Sequence, residues 1–339
     1  ADVLDFGFMH ELRMLANEIK PEFWLMGEVI HGDYSRWVNP NMLHSVTNYQ
    51  LYKALYSGHN EHNYFEIAHT VRYLLDKGNL PYHLYNFVDN HDVERIYTRL
   101  LNKHEFVPVH ILMYTLPGIP SVYYGSEFGI EGRKEKHSDV VLRPAINLED
   151  YPNALDENGC TNIIARLGEI RQKNSVFSDG IYQELRLTNR QYAFSRTNEI
   201  TQAIVVVNND EVDSSLDIPA TGTYTELLSG EIQSVDGNLH VHLHACSGQI
   251  WMKDYDETVT RKRKVKIPEI KQVAVKEETI EQVTVDYSKS YEEMSIEELQ
   301  ACVLEKLAKN GPVTEQMKRD VANNVYHDSL INWVKSFRN

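Results

Sequence analysis

"YHLYNFVDNHDVER", residues 82–95, decides how this chain is read. An apolar run from Leu84 to Val88 stops abruptly in Asp89, Asn90, His91 and Asp92. A buried strand that ends in acids and a histidine is a common way to hold chemistry rigidly at a sheet edge, so the surrounding pattern must say what kind of sheet this is. Upstream, Phe8, Leu12, Leu15 and Ile19 recur at helical spacing, and "FWLMGEVI" (23–30) reads as a buried strand. A short run at 43–49 precedes two helical stretches, 49–57 and 64–78, the second closed by Gly78. Downstream come the helical stretches 93–101 and 106–116, the unit "PGIPSVYYGSE" (117–127), a long irregular loop and a helix across 161–174. Strand followed by helix, repeated, implies parallel strands covered by helices.

From about residue 176 to 253 the texture changes to short alternating runs such as "QYAFSRT", "QAIVVVNND" and "LHVHLHA". Asn209-Asp210, Thr221-Gly222 and Asp236-Gly237 separate them as turns, which predicts a small antiparallel β-sandwich. Residues 254–294 are charged and poor in large apolar side chains, and read as a linker. A helical module fills 295–339. It opens on the capping box Ser295 to Glu298, and an apolar stripe of Val313, Met317, Val321 and Val325 marks its second helix; the two helices are expected to pack on each other or on the sandwich, with a partner-docking element as the alternative.

Composition narrows the function classes. At 339 residues with 42% apolar content the chain can bury a sizeable core. Its net charge of −15, with no basic block beyond "TRKRKVK" at 260–266, argues against nucleic acid or an anionic membrane as partner. No segment approaches the ~18 consecutive apolar residues of a membrane helix. Cys160, Cys246 and Cys302 are dispersed and odd in number, so neither a disulfide framework nor a cysteine metal site is expected. His240, His242 and His244 alternate on one strand face opposite Val241 and Leu243, and read as a solvated surface rather than a metal site.

In a parallel barrel the active site lies at the carboxyl ends of the strands. Glu28 ends the strand 23–29 and Asp92 follows the strand 83–88, so both acids are expected at one mouth. Glycosidic bond cleavage needs a proton donor for the leaving oxygen and negative charge beside an oxocarbenium-like centre. A carboxyl partly buried among neighbours such as Phe23 and Trp24 can stay protonated long enough to donate.

Three ordered blocks, "GEVIH" (27–31), "FVDNHD" (87–92) and "PGIPSVYYGSEFGI" (117–130), resemble the last blocks of the α-amylase family of glycoside hydrolases, over roughly residues 1–253. The resemblance implies an α/β fold: a partial (β/α)8 TIM barrel, about strands five to eight, in residues 1–175, followed by the C-terminal β domain at 176–253 and the helical module. It implies Glu28 as general acid/base, Asp92 as transition-state stabiliser and His91 as a substrate contact. Asn90, together with Asp89, is expected to shape the turn beside the substrate. His31, Tyr34 and Trp37 would touch the leaving-group sugars, and Arg143, in an Arg-Pro pair after the eighth strand, would join the substrate site.

One departure matters. The family carries its nucleophilic aspartate in an Arg-x-Asp block at the end of the fourth strand, whereas this sequence opens at Ala1-Asp2-Val3-Leu4-Asp5, directly before the equivalent of the fourth helix. Neither Asp2 nor Asp5 has an arginine two positions earlier. The reading is therefore a retaining hydrolase of α-glucans (starch, maltodextrins, cyclodextrins), neopullulanase-like in specificity, met here as a fragment without its nucleophile. The alternative is a non-catalytic relative serving as a glucan- or partner-binding scaffold. No cofactor or metal is expected within the chain, with calcium reserved for the missing N-terminal part. A cytoplasmic location and, as an open possibility, an oligomer complete the expectations.

Overall fold

The structure, a computed structural model, describes residues 1–78, 80–254, 288–310, 313, 317–318, 321, 330–331 and 334–335. The chain divides into two compact units, residues 1–273 and 274–339.

In the first unit, the Asp5 carboxylate accepts from the Phe8 amide and starts α1 (Phe6–Ile19). β1 (Met26–Gly27) pairs in parallel with β2 (Ser45–Val46), and Asn48 then caps α2 (Tyr49–Asn60) as Asn63 caps α3 (Tyr64–Asp76). A parallel bridge from Thr47 to Tyr85 carries the sheet on to β3 (Tyr85–Asn86). After α4 (Ile96–Arg99) and α5 (Phe106–Thr115), β4 (Ile119–Pro120) pairs in parallel with β3. Four parallel strands in chain order, the last three followed by α-helices and the first by a short 3-10 turn, are the expected partial (β/α)8 barrel. The loop after β4 leads into α6 (Ala154–Glu157), α7 (Gly159–Lys173) and α8 (Val176–Asp179).

With strands only two residues long, side chains finish the lock. Buried Asn48 donates to the Asn86 Oδ1 at 2.9 Å, and Asn86 donates onward to the Pro117 carbonyl at 2.9 Å. Gly118 lies against this amide with φ +128, and a Cβ there would sit 2.3 Å from Asn86 Nδ2. Glycine in "PGIP" is thus dictated by the close approach of β4 to β3.

One expectation fails at the amino-terminal edge. The run 23–30 forms only a two-residue strand, and Phe23, Trp24, Met26 and Ile30 stay exposed. Likewise the apolar stripe on α1 faces outward: Phe8, Leu15 and Ile19 are 53%, 52% and 75% exposed, while Met9 is buried. The physical reason is shared. Among the described residues β1 has a strand partner on one side only, and none covers its free edge or the outer face of α1.

The all-β part is antiparallel, as expected, and closes on itself as one curled sheet. Its strands, β5 (Ile181–Leu187), β6 (Gln191–Thr197), β7 (Gln202–Asn208), β8 (Ser214–Glu226), β9 (Ile232–Leu243) and β10 (Ser247–Lys253), hydrogen-bond into one antiparallel sheet of order β5-β6-β7-β10-β8-β9. The sheet curls until β7 touches β9, enclosing Ile204, Val206, Leu239, Val241 and Trp251. Thr221-Gly222 and Asp236-Gly237 are not turns. They lie inside the long β8–β9 hairpin, which pairs residue for residue from Ser214 with Leu243 to Thr225 with Ile232. Glycines at positive φ bend these strands without ending them. The other face of the sheet shares a core with α5 and α7, through Val205, Val207 and Ile250 against Ile111 and Leu167.

The second unit contains α9 (Ile296–Asn310), started by the Ser295 and Glu298 capping pair. Leu299, Cys302 and Val303 pack with Val321, Leu330, Ile331 and Val334. Met317 is exposed rather than part of that core. Val325, most of the linker 254–294 and most of the second expected helix lie outside the described residues.

A buried polar cluster joins the barrel half to the sheet. Glu105, just before α5, accepts from the Cys246 thiol at 3.4 Å and lies 3.9 Å from His59 Nε2. Burial pushes the Glu105 carboxyl up to about 8 and the His59 imidazole down to about 4, so near neutral pH this is a contact of uncharged groups. A carboxyl whose pKa is raised by folding contributes stability that is complete below its unfolded value and is lost as pH rises through its folded value. Glu105→Gln is therefore expected to gain on the wild type as pH climbs from about 4.5 to about 8, by a few kcal/mol in all. Urea unfolding of both proteins across that range checks this, and a difference independent of pH would contradict it.

Candidate active site

The carboxyl ends of the strands collect the acids. Glu28 directly follows β1, and its Oε1 accepts a 2.8 Å hydrogen bond from the Tyr49 hydroxyl. Tyr49 is the first residue of α2, placed there by the Asn48 cap, and its ring stands edge-on to Phe87 at 5.0 Å. The same hydroxyl accepts from Asn90 Nδ2 at 3.0 Å. Asn90 Oδ1 in turn accepts from the amides of Asp92 and Val93, at 2.8 and 3.1 Å, and so folds the turn that presents Asp92. Burial above all, with the charges of Glu28 and Asp92 added, drives the Tyr49 phenol well above its ordinary range. It stays a neutral donor to Glu28.

Asp92 is itself clasped. Its Oδ1 lies 2.7 Å from an Arg143 guanidinium nitrogen and its Oδ2 3.3 Å from His91 Nε2. Arg143 also donates to the His91 carbonyl at 3.1 Å and to Asp139 at 3.2 Å. Lys134 donates to the Asp92 carbonyl at 2.6 Å. His91, Asp92 and Arg143 remain partly exposed, so the group is open to solvent as well as internally paired.

Asp89, by contrast, is buried. It accepts from the Ile96 amide at 2.8 Å and from the Ser126 hydroxyl, and burial raises its carboxyl to about 6 despite those bonds. It anchors the turn to α4 and to the "YYGSE" loop. Of the two predicted turn-shaping residues, one holds the scaffold and the other, Asn90, reaches the rim.

Glu28, Asn90, His91, Asp92 and Arg143 therefore stand together, with Arg143 engaged on Asp92 and its neighbours. His31 is exposed. Tyr34 and Trp37 are corrected: at 1% and 5% exposure they belong to the core around Val29, Val38 and Val46, and offer no face to a sugar. Asp33 caps a short 3-10 turn at 34–36, and the three-residue spacing drops both rings inward. Phe23 and Trp24 do not enclose Glu28; both are half-exposed, and Trp24 leans toward Tyr85. Asp5 is occupied as the α1 cap.

Two contributors were not identified from sequence. Tyr49 is one of 20 tyrosines, and nothing in its spacing marks it. Arg95 is fully buried against the Tyr123 ring, donating to the carbonyls of Tyr124 and Leu142, each at 2.6 Å, and to Ser126 Oγ at 3.2 Å. It ties the loop after β4 to the segment that carries Arg143. Because Arg95→Ala leaves those carbonyls without their donor, it is expected to destabilise the chain by about 3 kcal/mol or more. Denaturant unfolding measures this; a shift within the ~0.5 kcal/mol of an ordinary surface substitution would contradict it.

The family model described as Alpha amylase, catalytic domain, matches residues 4–180, and that for the Alpha amylase C-terminal all-beta domain matches 186–306. Similar curated proteins include neopullulanase 2 of Thermoactinomyces vulgaris, 27% identical over 74% of this chain and 43% of its own length. Another is the cyclomaltodextrinase of Thermoanaerobacter pseudethanolicus, 27% identical over 62% of this chain and 36% of the relative. This chain thus spans less than half the length of the curated relatives it matches. Among solved structures, an α-amylase from H. orenii superposes with a TM-score of 0.62 at 21% identity, over 74% of this chain and 57% of that one, a likeness of fold. With its catalytic-domain match covering half of the residues and its β-domain match following in order, the chain belongs to the α-amylase family.

Proposed function

We propose that this chain carries the acid/base and the transition-state stabiliser of a retaining hydrolase of α-glucans, and that residues preceding Ala1 supply the attacking carboxylate. The observation that carries the reading is the Tyr49 hydroxyl, bonded at once to Glu28 and to Asn90, because it ties the acid that follows β1 to the turn that carries Asp92. In the proposed reaction Glu28 gives its proton to the glycosidic oxygen as the bond breaks and later takes one from the incoming water. The proton donated by Tyr49 holds the Glu28 carboxyl in place. Positive charge grows on the sugar only as the bond breaks, so an ionised Asp92 attracts the transition state more than the ground state. His91 donates to a sugar hydroxyl from the adjoining position.

Retention requires a second carboxyl about 5 Å from the acid, to form the glycosyl-enzyme intermediate. Of the two acids near the amino end, Asp2 and Asp5, Asp5 is engaged in capping α1. The outward apolar face of α1 and the free edge of β1 favour further barrel strands packing there, in keeping with the short share of each relative that this chain covers. Among relatives whose names point to substrates, neopullulanase and cyclomaltodextrinase suggest branched, linear or cyclic maltodextrins as the class. Carboxylate chemistry of this kind needs no cofactor. The three cysteines are free thiols, which suits the reducing cytoplasm, and no helix among the described residues is long and apolar enough to cross a membrane.

The purified 339-residue chain is expected to release no reducing ends from maltooligosaccharides, whereas a protein extended through the remaining barrel strands hydrolyses them. Turnover by the short chain, measured with maltoheptaose, would overturn the fragment reading. In the extended protein Glu28→Gln should lower kcat by about a hundredfold or more. A variant that keeps the wild-type rate would remove Glu28 from the acid/base role.

A further inference from the structure

The free end of the β8–β9 hairpin brings together two imidazoles and a carboxylate that the glucan chemistry does not use. His242 lies on β9, His244 follows the last residue of that strand, and Asp213 immediately precedes β8. One ligand atom from each, on Asp213, His242 and His244, lies within 4.8 Å of the other two. Asp213 Oδ2 is 3.1 Å from His244 Nδ1 and 3.6 Å from His242 Nε2. In a tetrahedral site with metal–ligand bonds of about 2.0–2.1 Å, donor atoms stand about 3.3 Å apart, between those two separations.

The supporting contacts point the same way. His242 Nδ1 is 3.1 Å from the Ser215 hydroxyl, across the register pair that the two residues form. A proton donated there leaves Nε2 with its lone pair free for a cation. The Ala245 amide donates to Asp213 Oδ1 at 2.9 Å, fixing that carboxylate with Oδ2 turned to the imidazoles. Such second contacts are what orient metal ligands in built sites. The histidine rings are 5.4 Å apart and nearly perpendicular, so a small rotation of either exposed side chain closes the remaining edge.

We propose that Asp213, His242 and His244 form a binding site for a divalent first-row transition cation, of which Zn²⁺ is the type, with the fourth position left to solvent. Two imidazoles and a single carboxylate suit such a cation and not calcium or magnesium, which take oxygen donors. This departs from the solvated surface expected of the "LHVHLHA" histidines. His240 remains outside the site, because its Nδ1 pairs with Asp217 at 2.6 Å, two register pairs along the hairpin. A bound cation would clip the start of β8 to the end of the edge strand β9.

Calorimetric titration of the full chain with ZnCl₂ tests the proposal, with CaCl₂ as comparison. One Zn²⁺ per chain and no comparable calcium binding are expected. His242→Ala and His244→Ala should each weaken zinc binding by about tenfold or more, at least the loss typical of a supporting contact. Asp213→Asn, which keeps the acceptor for Ala245, should weaken it as well, and His240→Ala should leave it unchanged. Excess Zn²⁺ should raise the melting temperature of the wild type and of His240→Ala but not of the ligand variants. Absence of zinc binding, or zinc binding indifferent to His242 and His244, would overturn the site.

Discussion

Parallel pairing between strands only two residues long is the constraint on which everything in the barrel half depends. So few ladder bonds cannot fix register alone, and the buried relay from Asn48 through Asn86 to the Pro117 carbonyl does it instead. The relay also sets the chemistry. Asn48 caps α2 and so puts Tyr49 over the strand ends, where its hydroxyl meets Glu28 on one side and Asn90 on the other. A polar group in a core is costly unless satisfied, and here each satisfied amide positions the next element.

The rim shows two ways of using an acid. Asp89 is buried, bonded to an amide and a hydroxyl, and holds the loop. Asp92, three residues later, is open to solvent and meets Arg143 and His91. Four consecutive polar residues are therefore not one cluster but a division between a buried anchor and a solvent-facing side, and the Asn90 turn is the point where the chain changes from one to the other.

Much of this was legible in the sequence. The alternation of strand and helix and the strand-end position of Glu28 and Asp92 follow from hydrophobic period and from where apolar runs stop, while the order of the parallel strands is what the family resemblance implies. What was not legible depends on neighbours distant in sequence. The run 23–30 reads as buried because it is apolar, yet burial needs a partner on both sides of β1, and among the described residues only β2 pairs with it. Tyr34 and Trp37 read as loop aromatics free to meet a ligand, and a three-residue helical turn buries both. Gly222 and Gly237 read as turns, while cross-strand pairing on both sides carries the strands through them. Tyr49 and Arg95 carry no local signature at all; their importance lies wholly in which groups the fold brings to them.

The central claim is that Glu28 and Asp92 act on one sugar ring. A crystal structure of the barrel extended through its remaining strands, with a slowly cleaved maltooligosaccharide analogue bound, tests it most directly. One ring should be held with Asp92 and His91 at its hydroxyls and the Glu28 carboxyl within hydrogen-bonding distance of its glycosidic oxygen. A ligand that meets only one of the two acids, or that binds away from the strand ends, would contradict it.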